Sequence, residues 1–466
     1  MCSFLLTSKL RTLQELEYAN EYQKYRGPDA TSIVEHEGIN FLHNLLSITG
    51  DFTTQPFIED GCVAIFNGEI YNFKELNSAA TSDGQCLIST YKTHGETFLK
   101  KLDGEFAVVL IDLVNELIIF GVDTFGCKPL NFSFENGFHF ASYQSALQRL
   151  GCSQITQVNG NEWYIYNINS KQLYKHTLTI FDIDNEYKTN FDDWNIAFEN
   201  SIKKKAIASK PIMMGLSEGY DSATICSSLI KHNIDFKAYS VNVLNPPSNV
   251  LLWRHGILNK PLPVIDGVQI EIPNIPNKKL YNPSYLQHLH VCNSIYSKCE
   301  EYQYEWMNNH TNKLQKTTSR DTYGFTGAGF FFPEAYQDGY RICMSGCAGD
   351  IIGCKDINQK MREMQNVNYL VDYYDNNVYS CEYCTGIYGI EVRYPYLDVK
   401  LWQETFWIDK SIHKHWKSPQ RQYLLSRKFP FVDLDADGKE IFEYVGFFKP
   451  MPPVFSEYRK NLKNRS

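Results

Sequence analysis

Pro211-Ile212-Met213-Met214-Gly215-Leu216 runs into Ser217-Glu218-Gly219-Tyr220-Asp221-Ser222, and Ala223-Thr224-Ile225-Cys226-Ser227-Ser228-Leu229 follows. A short apolar run, a polar turn holding Gly219 and an apolar-periodic segment predict a strand, a loop and a helix. Such a loop ends at a helix N-terminus, where unpaired backbone N–H groups and the positive end of the dipole attract anions. The hydroxyls of Ser217 and Ser222 add donors, and the Asp221 carboxylate is placed to hold a metal against phosphates. A capped helix without any ligand satisfies the same pattern, so the flanking sequence decides.

Downstream, helical and strand-like runs alternate. Ala238-Tyr239-Ser240-Val241-Asn242-Val243 is the next strand and Arg341-Ile342-Cys343 a later one, as in a parallel sheet with helices on both faces. Ligands of such sheets sit beyond the carboxyl ends of the strands, where Ser217 to Ser222 fall. Residues 245–283 are rich in Pro and Asn and read as irregular surface structure. Upstream, Ala197, Ile202 and Ala206 stand at helical spacing after Trp194. Asp182 to Asp193 is polar and acidic enough for a linker, and Trp163-Tyr164-Ile165-Tyr166 and Tyr174-Lys175-His176 read as closing strands.

A chain of 466 residues exceeds one ordinary core, so two or three domains are expected. Its 43% hydrophobic and 21% charged residues are those of a soluble globular protein. A net charge of -8 without any basic run argues against nucleic acid as the main partner. No apolar stretch reaches about 18 residues, and the N-terminus lacks a basic region followed by an apolar core, so no membrane partner and a cytoplasmic location are expected. Thirteen scattered cysteines suit reduced thiols better than a disulfide framework. Cys381 and Cys384 have no second pair and read as structural.

The first residues are Met1-Cys2-Ser3-Phe4. Removal of Met1 would leave Cys2 with a free α-amine, whose pKa of about 7.7–8.0 suits it as base for its own thiol. Further on stand Tyr25-Arg26-Gly27-Pro28-Asp29, Leu46-Ser47-Ile48, Phe66-Asn67-Gly68-Glu69-Ile70-Tyr71-Asn72, Ser82-Asp83, Asp103-Gly104-Glu105-Phe106-Ala107 and Asp123-Thr124-Phe125-Gly126-Cys127-Lys128-Pro129-Leu130. Asn67-Gly68 is a hairpin-turn signal, and a turn there also suits an oxyanion. Together these pieces resemble the glutaminase domain of class II glutamine amidotransferases, in asparagine-synthetase order.

That resemblance implies Cys2 as nucleophile on the side-chain amide of glutamine, with Asn67 and Gly68 as oxyanion hole. It implies Asp83, Ile48 and Glu69 as substrate-binding residues, Asp83 on the α-amine, and Arg26 as a residue that ties the domain together. Two departures stand out. Leu45 replaces the arginine that pairs with the glutamine α-carboxylate in the family, a charge-assisted contact worth about 1.5–3 kcal/mol. Tyr143 stands where the family usually carries glutamate.

The later pieces point the same way. Ser217 to Ser222 resembles the pyrophosphate-binding loop of ATP pyrophosphatases, Ser-Gly-Gly-x-Asp-Ser, with Glu218 at its second position. Met344-Ser345-Gly346-Cys347-Ala348-Gly349-Asp350 resembles the Ser-Gly-Glu-Gly-x-Asp-Glu segment of asparagine synthetases, with Cys347 for the first glutamate and Ile351 for the last. Gly389-Ile390-Glu391-Val392-Arg393-Tyr394-Pro395-Tyr396-Leu397-Asp398 resembles their Gly-x-Glu-x-Arg-x-Pro-Phe-Leu-Asp segment. The resemblance implies ATP binding by Leu216, Ser217, Gly219, Asp221, Ser222, Val241, Ser345 and Gly346. It implies Mg2+ on Asp221 and Asp350, and Lys449 as a catalytic lysine.

The expected architecture is two domains, α+β then α/β. Residues 1-185 form an N-terminal-nucleophile αββα sandwich with glutaminase function, and residues 186-466 a doubly wound parallel sheet of the ATP-pyrophosphatase type. The expected activity is an ATP-dependent, glutamine-fed amide synthetase acting on aspartate or another carboxylate. Retention of Cys2, Asn67, Gly68 and Asp83 favours it. A cyclising synthetase that does not use glutamine is the alternative favoured by Leu45, and a weakened regulatory relative the one favoured by Glu218, Cys347 and Ile351. Neither the acceptor nor the oligomeric state, a homodimer included, is written in the sequence.

Overall fold

The computed structural model describes residues 2–242, 332–364, 377–386, 388–415, 417–434 and 440–444, with Val250, Arg254, Leu258 and a strand at 264–266 between them. Two six-stranded antiparallel sheets occupy the first part of the chain. One holds β1 (Ser3–Thr7), β2 (Ala30–His36), β3 (Ile39–Leu45), β8 (Asn131–Ser133), β9 (His139–Ala141) and β10 (Thr156–Gln157), in the order β10-β8-β9-β1-β3-β2. The other holds β4 (Phe57–Glu59), β5 (Cys62–Ile70), β6 (Gly104–Asp112), β7 (Leu117–Val122), β11 (Glu162–Asn167) and β12 (Leu173–Thr177), in the order β12-β11-β7-β6-β5-β4.

The burial pattern explains the layering. Every residue of β3 and of β5 is buried, so both faces of each strand are covered. Between the sheets pack Phe4, Phe41, Val63, Ile65, Val109 and Phe120, with Phe120 stacked on Tyr164 at 5.1 Å between ring centroids. On the outer face of the β5 sheet, Ala64, Phe66 and Val108 meet α2 (Phe73–Leu76) and α3 (Cys86–His94). On the outer face of the β1 sheet, Leu5 and Leu42 meet α1 (Leu13–Asn20) and α4 (Gln144–Arg149). Helix, sheet, sheet and helix are therefore stacked in that order. The edge strand β2 alternates intermediate and exposed, as a strand with solvent beside it should.

The second part is built on a parallel sheet of β13 (Ile212–Gly215), β14 (Phe236–Asn242), β15 (Val264–Asp266), β16 (Ile342–Met344) and β17 (Glu391–Arg393). Its strand order is β15-β14-β13-β16-β17. The chain moves outward from β13 to β15, then restarts on the other side at β16. The loops after β13 and β16 therefore diverge from one point, the crevice where such sheets bind ligands. Helices α5 (Asp192–Lys205) and α6 (Tyr220–Lys231) cover this sheet.

The stretch from Asp182 to Asp193 is not the free linker its charge suggests. Phe181 and Phe191 are buried in the core, the Asp182 N–H donates to Gln403 Oε1 at 3.0 Å, and Lys188 pairs with Asp193 and Glu404. Its acids face solvent while its aromatic ends anchor it. Among the described residues no helix is long and apolar enough to cross a membrane.

Candidate functional site

The thiol site gathers where β1 packs against β5. Cys2 is 8% exposed and its Sγ accepts the Leu46 N–H at 3.5 Å. Burial pushes this thiol up to about 12, with Asp83 and Glu391 adding negative charge nearby. Such a thiol stays protonated at neutral pH until a base takes its proton. Asn67 is fully buried, and neither its Oδ1 nor its Nδ2 has a hydrogen-bond partner among the described residues. Each unmatched buried polar group costs about 1–3 kcal/mol, so the amide is set for a ligand atom.

Gly68 beside it has φ +128, and a Cβ there would lie 1.9 Å from the Glu105 carbonyl oxygen, so only glycine fits. The hairpin turn expected at Asn67-Gly68-Glu69 is not there. All three residues lie inside β5 and face Ala107, Phe106 and Glu105 of β6. Nine consecutive cross-strand pairs, Cys62 to Ile70, outweigh the local turn preference of Asn-Gly.

Asp83 caps the end of this strand. Its Oδ2 accepts the Ile70 N–H at 3.1 Å and its Oδ1 the Gly84 N–H at 3.0 Å. Burial, and then the charge of Glu391, raise its carboxyl to about 7. Burial likewise holds Glu69 well above the carboxylate range, although Arg393 opposes the shift. Ile48 contributes backbone, and its carbonyl accepts the Ser209 N–H at 2.8 Å.

A buried set of charges joins this site to the parallel sheet. Arg26 donates from Nε to the Cys2 carbonyl at 3.0 Å and from Nη2 to Glu382 Oε2 at 2.8 Å. The other oxygen of Glu382 accepts from Lys128 Nζ and from the Tyr394 hydroxyl, each at 2.9 Å. Lys205 pairs with Glu105 at 2.9 Å. Arg393 pairs with Glu69 at 3.1 Å and with Glu391 at 2.8 Å. Tyr143 stacks on Arg26 and accepts its Nη1–H at 3.2 Å, so the neutral phenol fills space while Glu382 supplies the counter-charge.

The second constellation lies at the carboxyl ends of β13 and β16. Gly219 is the N-cap of α6, the Ser217 and Ser222 hydroxyls are 2.9 Å apart, and the Gly219 N–H donates to Ser217 Oγ at 3.2 Å. Leu216 is pinned by its N–H to the Tyr239 carbonyl at 2.7 Å, and Val241 lies further along β14. The Ser345 N–H donates to the Arg393 carbonyl at 2.9 Å, and Gly346 and Gly349 both approach Asp221 so closely that a Cβ at Gly349 would stand 2.3 Å from its Cγ. Arg254 is fully buried and donates to the carbonyls of Ser217 and Gly219.

Lys417 is the residue that sequence spacing does not find. Its Nζ lies 2.6 Å from Asp221 Oδ2 and 2.5 Å from Asp350 Oδ1, between the two carboxylates assigned to a metal. It is buried in the left-handed region, φ 52, just ahead of the helix Ser418–Arg427. Pro419 in the first turn of that helix signals a helix start but nothing about the 196 residues back to Asp221. Two carboxylates that share a cation beside a helix N-terminus are a donor set suited to Mg2+ and phosphates.

Ile351 points into the core, so no acid stands at that position, while Glu218 is exposed at the mouth of the loop. Cys347 is buried, and its N–H donates to Ser345 Oγ at 3.2 Å. Lys449 and residues 245–249 and 267–283 lie outside the described residues, and so does the Cys384 side chain.

Residues 1–183 match the family model of a glutamine amidotransferase domain. Asparagine synthetase [glutamine-hydrolyzing] 2 of Arabidopsis thaliana is 30% identical over 45% of this chain and 38% of its own length. Asparagine synthetase [glutamine-hydrolyzing] of Asparagus officinalis is 27% identical over 50% and 41%. The amidase chyE of Penicillium rubens is 34% identical over 27% and 20%. The chain thus spans only 38% to 41% of the two synthetases. Among solved structures, glutamine phosphoribosylpyrophosphate amidotransferase of B. subtilis aligns with a TM-score of 0.33 at 15% identity, covering 52% of this chain and 65% of that one. Residues 1–183 thus match a glutamine amidotransferase domain, and the chain is similar to asparagine synthetases over about half of its length.

Proposed function

We propose that this protein is an ATP-dependent, glutamine-hydrolysing amide synthetase. Its glutaminase part spans residues 1-185 and is of the N-terminal-nucleophile type, and its ATP-pyrophosphatase part spans 186-466. The observation that carries the reading is the buried, unpartnered amide of Asn67 beside the left-handed Gly68, at the strand whose end Asp83 caps and whose partner layer holds Cys2. An orphan amide on the strand that frames the thiol suits a site that a ligand completes.

In the thiol site, the Cys2 sulfur attacks the side-chain amide carbon of glutamine. Its proton passes to the α-amine of Cys2, once Met1 is removed, and onward to the leaving nitrogen as ammonia departs. The Asn67 Nδ2–H and the Gly68 N–H face the oxygen of the tetrahedral intermediate, and water then hydrolyses the thioester to glutamate. Asp83, ionised when a positive group arrives, holds the α-ammonium group, with Glu69 and Ile48 beside it.

In the sheet-end site, ATP places its phosphates on the N-terminus of α6, against Ser217, Gly219 and Ser222, with Leu216, Val241, Ser345 and Gly346 around the nucleotide. An acceptor carboxylate attacks the α-phosphorus and pyrophosphate leaves. Ammonia then attacks the acyl-adenylate, giving the amide and AMP. Mg2+ held by Asp221 and Asp350 would supply charge stabilisation on the phosphates. Lys417, displaced from those carboxylates, lies within the same crevice to neutralise the departing pyrophosphate, in the role the sequence assigns to Lys449. Cys347 stands where the resemblance expects a glutamate, and the core-facing Ile351 supplies no second one, which favours an acceptor carboxylate other than aspartate.

The test is glutamate release from glutamine by the wild-type chain and by Cys2→Ala. Release by the wild type and none by the variant supports the reading. Release by neither, in folded protein, overturns the glutaminase half.

A further inference from the structure

The guanidinium of Arg393 lies on β17, at the edge of the parallel sheet, yet its donors reach into the thiol site. Nη2 donates to the Thr49 hydroxyl at 3.1 Å and pairs with Glu69 Oε1 at 3.1 Å. Nε donates to Glu391 Oε1 at 2.8 Å, and Nη1 donates to the carbonyls of Lys205 and Ile207 at 2.8 and 2.7 Å. Five N–H donors meet five acceptors, and the side chain is fully buried. Only the planar fork of arginine fits such a set; a lysine ammonium has three donors and no fixed plane.

Two of the acceptors, Thr49 and Glu69, belong to the segments that frame the thiol, and the others lie in the second part of the chain. Thr49 stands three residues after Leu46, whose N–H the Cys2 sulfur accepts. Glu69 stands two residues after Asn67 and directly before Ile70, whose N–H Asp83 accepts. One side chain of the second part thus fixes the loop that holds the nucleophile and the strand that holds the oxyanion group. Glu391, oriented by the same guanidinium, adds a third acidic side chain to those of Glu69 and Asp83, and its charge helps to hold both of their carboxyls high.

We propose that Arg393 is a positioning residue of the thiol site, fixing Glu69, Thr49 and Glu391 to receive the ammonium end of glutamine, so that the glutamine pocket is complete only with the parallel sheet docked against it. This rests on the glutaminase reading and extends it to a residue outside the glutaminase part.

The experiment compares two reagents on the full-length chain, each followed by intact mass of the Cys2 adduct. 6-Diazo-5-oxo-L-norleucine carries the amino-acid end of glutamine, and iodoacetamide does not. In Arg393→Lys the analogue should label ~10–100-fold more slowly than in the wild type, while iodoacetamide labelling stays within about threefold. Thr49→Val, which removes one acceptor at the rim, should shift the same ratio in the same direction by a smaller factor, and it carries the test should the lysine variant not fold. Equal slowing with both reagents, or no change with either, overturns the proposal while leaving the glutaminase reading intact. A wild-type chain labelled at Cys2 by iodoacetamide but not by the analogue overturns both.

Discussion

Glu382 offers the sharpest test of how the two parts are joined. Its carboxylate is fully buried and shared by Arg26 at 2.8 Å and Lys128 at 2.9 Å, both fully buried as well. Glu382→Gln keeps the shape and removes the charge. Arg26 then loses the carboxylate it shares with Lys128, while the Cys2 carbonyl, the Glu382 carbonyl and the Tyr143 hydroxyl still accept from it. Lys128 is better off, since Glu105 stays at 3.9 Å and the Val392 carbonyl at 2.9 Å. The expected cost is therefore that of one broken buried pair, about 3–5 kcal/mol, and not of two.

At the slope usual for large domains this lowers the melting temperature by about 6–20 °C, read by calorimetry on wild type and variant. Arg26→Met alone should cost a similar amount, and the double variant less than the sum, with a coupling of about 0.5–3 kcal/mol. A drop of less than about 2 °C for Glu382→Gln, or strictly additive losses, would refute the idea that this pair holds the interface.

Three further outcomes follow from the geometry. Gly68→Ala places a Cβ 1.9 Å from the Glu105 carbonyl at φ +128, so it should abolish glutamine hydrolysis and destabilise the chain by at least about 1–3 kcal/mol, seen in a thermal melt. Asp83, raised from 3.8 to about 7, keeps a proton in the folded state that the unfolded chain gives up between those values. Its contribution to stability is full below pH 4, falls as pH rises towards 7 and then levels off, while its affinity for an ammonium group rises through about 7. Glutaminase kcat/KM should therefore climb through that range, and Asp83→Asn should flatten both the activity profile and the stability slope. Lys417→Met should cut pyrophosphate release by about 100–1000-fold while leaving glutamine hydrolysis within about threefold. Parallel loss of both activities would contradict separate sites.

The parts of this molecule legible in the sequence are those whose chemistry is local. Ser217 to Ser222 declares a strand, a loop and a helix by composition, whereas Cys2, Asn67-Gly68-Glu69 and Ser82-Asp83 stand out only together, through the family they resemble. What was not legible depends on long-range packing. Arg26 and Glu382 are 356 residues apart, and nothing near either one names the other. Lys417 reaches Asp221 across 196 residues, and no local signal at either residue gives that pairing. The acidic run from Asp182 to Asp193 misled because charge reads as solvation, whereas Phe181 and Phe191 anchor it. Asn67-Gly68 misled in the same way, since a turn dipeptide was overruled by the ladder to β6.

In the proposed reaction a thiol site hydrolysing glutamine feeds a sheet-end site that activates a carboxylate with ATP. Its most direct measurement supplies amide-15N glutamine, ATP and magnesium with a panel of carboxylates including aspartate, and follows pyrophosphate together with product mass. One carboxylate should trigger pyrophosphate release and yield an amide carrying 15N, in equal amounts. Glutamate formation with no pyrophosphate from any acid would contradict it.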